Sequence, residues 1–138
     1  MTQNKQPEIP ANCRYASSHE WARQEGNEVS VGITAHAVEE MGRDIVHVEL
    51  PPTGQRVVQA QPFGVIDSIK SAFELFSPVT GEVVAVNDKV AADPMIVAQS
   101  PYRDGWMIRI KPDDPRQLEQ LLSPEQYKQM IFLNNSSH

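Results

Sequence analysis

Short runs of alternating or β-branched residues, cut by proline and glycine, make up the middle of this chain. Glu28-Val29-Ser30-Val31-Gly32-Ile33 alternates polar and apolar, the period-two pattern of a half-buried strand. Asp44-Ile45-Val46-His47-Val48-Glu49-Leu50 is a second strand, stopped and turned by Pro51-Pro52-Thr53-Gly54. Val57-Val58 begins another, and Pro62-Phe63-Gly64 leads into a hairpin. Val83 to Val86 follows, then a turn at Asn87-Asp88, and Trp106 to Lys111 alternates again. Many short strands with turn signals at short intervals predict a mainly β fold, a small sandwich or flattened barrel. The segments around two glycine turns, Leu50–Val57 and Phe76–Val83, are weakly similar, as in a quasi-symmetric two-sheet module.

Helices are expected in two places. Thr34 is an N-cap for Ala35–Met41, with Glu39 and Glu40 facing solvent and Gly42 as the C′ terminator. Near the end, Asp114-Pro115 reads as an N-cap with proline at the first helical position, and Leu118, Leu121 and Leu122 share a face. Ser123-Pro124-Glu125-Gln126 repeats the start signal with a capping-box glutamine, and Tyr127, Met130 and Ile131 supply an apolar side. The expectation is one short internal helix and C-terminal helices packed on an outer face. With 138 residues, 40 % of them hydrophobic, the chain suits one domain. Residues 1–13 read as a flexible leader, 14–133 as the domain anchored by Tyr15 and Trp21, and 134–138 as a loose tail.

Charge and composition narrow the function. The formal net charge is −6, and no Lys/Arg cluster offers the basic face that nucleic acid requires. An acidic surface suits docking to basic patches on other proteins. No apolar run approaches the ~20 residues of a membrane span. Met1–Pro10 has neither the apolar core of a secretory signal nor the arginines of a transit peptide, so a cytoplasmic location is expected. Cys13 stands alone, which rules out an internal disulfide, and reads as a chance thiol near a mobile end. His19, His36 and His47 are scattered without ligand-pair spacing, so no metal site is expected. No nucleophile sits in a recognisable elbow, and the glycines are too isolated for a phosphate loop.

One residue stands out against this background. Lys70 lies between two apolar strands, in Gly64-Val65-Ile66-Asp67-Ser68-Ile69-Lys70-Ser71-Ala72-Phe73-Glu74-Leu75-Phe76, and a Ser77-Pro78-Val79-Thr80-Gly81 turn follows. A lone lysine is ordinarily a solvated charge. A lysine at a hairpin tip is open to a modifying enzyme, and acylation of its amine makes it the root of a long arm. Its neighbours Ile69 and Ser71 differ from the methionines that flank a biotinyl lysine. Asp67-Ser68-Ile69-Lys70-Ser71-Ala72 is closer to a lipoyl acceptor, with Asp67 and Glu74 as flanking acids for recognition by the lipoylating enzyme.

Taken together, these blocks resemble the H protein family of the glycine cleavage system. Ser18-His19-Glu20-Trp21 resembles its start signature, and Val31-Gly32-Ile33-Thr34 with the Asp44–Pro51 strand resembles the next block. The family's Glu-Ser-Val-Lys motif appears as Asp67-Ser68-Ile69-Lys70. Ser77–Val83, Ser100-Pro101-Tyr102-Arg103-Asp104-Gly105-Trp106-Met107 and the helical tail complete a match over about Tyr15 to Ile131. The chain departs from the family in three places. Arg43 is an extra residue between Gly42 and Asp44, Asp67 replaces the commoner Glu, and Ala98 stands where an asparagine is usual.

The resemblance implies a lipoyl-domain-like barrel-sandwich hybrid and a carrier that is not itself an enzyme. Lipoate would be joined to Lys70 by a lipoylating enzyme. The arm would take the aminomethyl group of glycine from a pyridoxal-phosphate glycine decarboxylase to a tetrahydrofolate-dependent aminomethyltransferase. A dihydrolipoyl dehydrogenase would reoxidise it. The family shields the loaded arm in a cleft, and Glu20 lies in the block that lines it. Glu20 is therefore either a surface carboxylate beside Trp21 or the anionic partner of the bound amine. A second reading, a relay or regulatory carrier that passes lipoyl groups to other proteins, has the same fold and the same lysine.

Overall fold

The computed structural model describes residues 8–135. Among these residues, nine strands form two antiparallel sheets. β1 (Arg14–Tyr15), β2 (Glu20–Glu25), β3 (Glu28–Ile33), β5 (Arg56–Val57), β8 (Gly81–Val86) and β9 (Ile108–Pro112) make the larger sheet, in the order β1-β2-β3-β9-β8-β5. β4 (Ile45–Glu49), β6 (Pro62–Ser68) and β7 (Ala72–Phe76) make the smaller one, in the order β4-β6-β7. The main core includes Val29, Val31 and Ile110 from the first sheet and Val48, Ile66 and Leu75 from the second. The two weakly similar segments do meet, since β5 pairs antiparallel with β8.

β2 carries no clear alternation and is not expected from its sequence. It becomes a strand because Gly26, at φ +66°, opens a two-residue turn that returns the chain as β3, pairing Glu25 with Glu28. Further along this hairpin Trp21 lies opposite Gly32. A Cβ on Gly32 would come within 2.7 Å of the indole, so the glycine makes room for the fully buried ring. The indole N–H donates to the Pro101 carbonyl at 2.9 Å.

α1 (Ala35–Glu40) forms as its sequence requires. The Thr34 side chain caps Ala37 N–H at 3.1 Å, and Gly42 follows at φ +84°. The expectation of one internal helix is too low. α2 (Asp88–Ala92) and α3 (Met95–Gln99) occupy the stretch after β8. Each is little more than one turn, too short to display a 3.6-residue period. What reads as an Asn87-Asp88 turn is the cap of α2, where Asn87 accepts from Lys89 N–H and donates to the carbonyls of Asp104 and Trp106.

At the C-terminus Asp114 does cap a helix, but Pro115–Gln120 is a 3-10 helix that buries only Leu118. Leu121 ends it rather than continuing a face. The Ser123–Gln126 capping box is reciprocal, with bonds of 2.9 and 3.1 Å, and starts α4 (Pro124–Asn135). α4 runs through Asn134 and Asn135, which the sequence assigns to a loose tail; 136–138 lie outside the described residues.

A second apolar cluster joins Cys13, Tyr15, Trp21 and Tyr102 to Tyr127 and Ile131 of α4. It also fastens residues 8–13, expected as part of a flexible leader. Tyr102 and Tyr15 donate to the carbonyls of Glu8 and Pro10, both at 2.6 Å. Cys13 is thus buried rather than mobile, and burial pushes its thiol pKa up, which makes it a poor nucleophile. Residues 1–7 of that leader lie outside the described residues.

Gly64 sets how closely β4 and β6 can pack. A Cβ there would overlap the Glu49 carbonyl oxygen of the neighbouring strand. Gly64→Ala is expected to cost about 3 kcal/mol, because backbone cannot yield as a side chain can. Gly54→Ala has open space around it and only the strain of φ +97°, so roughly 1–2 kcal/mol is expected. Urea unfolding of both variants checks the order; equal losses would show that the strands separate freely.

Candidate functional site

β6 and β7 form the lysine hairpin. Ser68 N–H donates to the Ser71 carbonyl at 2.8 Å, and Ser71 N–H returns to Ser68 Oγ at 3.2 Å. Only Ile69 and Lys70 remain in the turn, both exposed. The tip is also held from the side, as Ile69 N–H donates to the Asp44 carbonyl at 3.0 Å. The stem of Lys70 passes over Gly42, where a Cβ would lie 3.3 Å from Lys70 Cδ. Asp67 and Glu74 do not flank the lysine at the tip. Asp67 is half-buried in β6, opposite His47 and Ala72, and Glu74 lies opposite Val65 in β7.

A cavity of about 410 Å³ opens at the foot of this tip. Its near wall includes Met41, beside Gly42, and Ala72, two residues past Lys70. Phe73, Ile66, Leu75 and Ile33 make it largely apolar, and Glu74 also borders it. β7 runs along it for roughly 13 Å, four steps of a strand. Ala37 and Glu40 of α1, with Phe76, Ser18, His19 and Glu20, complete the lining, so Glu40 and Glu74 border it as acids besides Glu20.

Glu20 is not a surface carboxylate; it is 1 % exposed. Ser18 Oγ donates to one of its oxygens, and Phe76 N–H donates to the other at 2.9 Å. Burial raises its pKa to about 7, against the pull of those two donors. The sequence places Glu20 and Phe76 56 positions apart and shows nothing of their meeting.

The other histidine-bearing groups are also brought together. His19 and His36, scattered in sequence, have ring centroids 5.0 Å apart, and His36 Nε2 lies 3.5 Å from Glu40. Burial lowers the pKa of His19. Its Nδ1 is 2.8 Å from Tyr127 Oη, which is 2.7 Å from Thr34 Oγ1. Helix α4 is thereby tied to the wall of the cleft. No group of three or more His, Cys, Asp or Glu among the described residues could hold a metal ion.

The sequence profile of the glycine cleavage H-protein family matches residues 13–133. The chain belongs to the glycine cleavage H-protein family. It is 47 % identical, over 122 residues, to the glycine cleavage system H proteins of Bacillus cereus and Bacillus anthracis, covering 88 % of this chain and 95 % of theirs. The crystal structure of a glycine cleavage system H protein from Mycobacterium marinum matches with a TM-score of 0.83 at 33 % identity, over 90 % of this chain and 99 % of that one. With family membership comes the carrier role in glycine cleavage, on the two-sheet fold described above. Two of the three positions expected to depart from the family pattern touch each other. Arg43, at φ +71°, donates to the Ala98 carbonyl at 3.3 Å and pairs with Glu39 at 2.6 Å. Sequence order separates Arg43 from Ala98 by 55 positions, so neither could be read as the other's neighbour.

Proposed function

We propose that Lys70 carries lipoate in amide linkage and that the chain is a non-catalytic carrier of the aminomethyl group of glycine. The observation that supports this reading most is a single juxtaposition. An exposed lysine in a two-residue turn stands at the mouth of an apolar cleft, and a buried carboxylate lines that cleft. The residues present fit the group: a free amine for attachment, apolar walls for an alkyl arm, and Glu20 for a bound ammonium. When bound, lipoate supplies a dithiolane that accepts the aminomethyl group and returns to the disulfide on oxidation.

The chain's own residues hold and shield. Phe73, Ile66 and Leu75 exclude water from the arm. Ser18 and the Phe76 amide fix the Glu20 carboxyl in place, so it offers charge without having to reorganise. The tether keeps the carried group at high local concentration for each enzyme in turn. In this reading the partners are the pyridoxal-phosphate glycine decarboxylase, the tetrahydrofolate-dependent aminomethyltransferase, the dihydrolipoyl dehydrogenase and a lipoylating enzyme, all in the cytoplasm. No helix among the described residues is long and apolar enough to cross a membrane.

Peptide mass spectrometry on protein from lipoate-fed cells tests the attachment. Lipoyl is expected on Lys70 alone. Modification at Lys89 in α2 or Lys111 in β9 instead would overturn the assignment.

A further inference from the structure

Two apolar side chains beside Lys70 take no part in the cleft. Ile69 is 74 % exposed, the most exposed large apolar residue described. It does not sit on a frayed loop. Its own N–H is bonded to the Asp44 carbonyl, and the Ser68–Ser71 bonds close the turn around it. Val46 is 54 % exposed on the neighbouring strand. There the β4–β6 register shifts between Ile45, opposite Ser68, and His47, opposite Asp67. Val46 is left out of the ladder about one row in from the tip. Arg43 lies in the connection just before β4, between Gly42 and Asp44. A fixed backbone thus presents two apolar side chains to solvent at the place where Lys70 is offered.

We propose that Ile69, with Val46 beside it, is the contact through which the acylating enzyme recognises this hairpin. The inference rests on Lys70 being the acyl acceptor. It commits to that enzyme among the partners for a steric reason. The enzymes that use the loaded carrier act on sulfur atoms at the far end of the arm. The acylating enzyme alone must close around Lys70 Nζ itself. Consecutive Cα atoms are about 3.8 Å apart, so an active site that takes in Lys70 also meets Ile69.

The chemistry requires that closure. The neutral ε-amine attacks the carbonyl carbon of an activated lipoyl acyl donor, an acyl-adenylate or thioester. The C–N bond forms, and the bond from that carbon to the leaving group breaks. The leaving group departs with the electron pair, and the surplus amine proton passes to a base of the enzyme. Nothing is oxidised or reduced. Water at the carbonyl would divert the donor to hydrolysis, and an apolar seal formed on Ile69 and Val46 keeps it out.

The test uses the full-length unlipoylated protein with a lipoate ligase, lipoic acid and ATP, read by intact mass against time. Ile69→Asp is expected to slow Lys70 modification about tenfold or more, the weight of an interface hot spot. Val46→Asp is expected to slow it about threefold, as a contact off the centre. Val58→Asp, at a valine of matching exposure (53 %) outside the hairpin, should equal wild type. Ile69→Ala carries the test if the aspartate variant melts early. Equal rates for wild type and both Ile69 variants would overturn the proposal. So would a loss confined to Asp67→Asn or Glu74→Gln, which would give recognition to the acids. Ile69→Asp lipoylated by long incubation should be reduced by dihydrolipoyl dehydrogenase at the wild-type rate; a matching loss there would overturn the commitment to the acylating enzyme. No modification of the wild-type protein would instead refute Lys70 as the acceptor, which is a distinguishable result.

Discussion

Lys70→Ala is expected to abolish aminomethyl transfer in the reconstituted glycine cleavage system while leaving the melting temperature of the carrier unchanged. The loss is complete because no other lysine among the described residues sits at this hairpin tip. The fold is indifferent because the side chain is exposed and its stem lies over Gly42 rather than in either core cluster. Surface substitutions of this kind shift stability by about 0.5 kcal/mol or less. Glycine-dependent reduction of NAD by the four-component system reads the first effect, and thermal unfolding reads the second. Residual turnover above the carrier-free blank would show that the arm is rooted elsewhere. A fall in melting temperature would show that the Ser68–Ser71 turn depends on the lysine.

Glu20→Gln separates the two consequences of a buried carboxyl. The amide is nearly isosteric with the neutral acid and can keep both bonds, accepting from Phe76 N–H and donating to Ser18 Oγ. Glu20→Ala would leave the Phe76 amide without its acceptor, so it is the poorer probe. The first consequence concerns stability. The folded-state pKa of Glu20, about 7, is above its ordinary 4.5. The neutral form therefore favours the fold. That contribution is fully present below about pH 4.5 and is lost as pH rises through about 7. The shift corresponds to roughly 3 kcal/mol. Wild type is expected to lose stability between about pH 4.5 and 7 relative to Glu20→Gln, measured by urea unfolding at each pH. Parallel pH profiles would contradict the raised pKa.

The second consequence concerns the loaded arm. At pH 8, above that pKa, Glu20 is ionised, and in the role proposed for it the anion pairs with the bound ammonium. Removing the charge is expected to weaken that hold by roughly 1.5–3 kcal/mol, about ten- to a hundredfold toward the released arm. The rate of formaldehyde and ammonia release from the loaded carrier, without the other enzymes, reports it. Glu39→Gln on the exposed face of α1 is the control. Equal release from wild type and Glu20→Gln would remove Glu20 from the site.

What could be read directly were features whose physics is local. β3 forms where its period-two alternation predicts a strand, but Ser30 and Gly32 are buried too, so it is covered on both faces rather than half-buried. Thr34 and the Ser123–Gln126 pair are caps written in adjacent positions, and both form. The Lys70 hairpin is bounded by its own strands, so its two-residue tip follows from sequence. α2 and α3 escaped because five residues cannot show a helical period. β2 escaped because its pattern comes from pairing with β3, not from its own side chains.

The sequence by itself determined a mainly β domain that presents one lysine at a hairpin tip. Strand pattern, caps and turns act over a few residues, and each is legible where it acts. Only the tertiary structure decided what that lysine stands beside. Glu20 meets the Phe76 amide across 56 positions, His19 meets Tyr127 across 108, and Arg43 meets Ala98 across 55. Whether Glu20 is a solvated charge or a buried acid with a pKa near 7 depends on how much water the packing of β2 against β7 excludes. Desolvation is a property of the assembled sheets, and no single segment carries it.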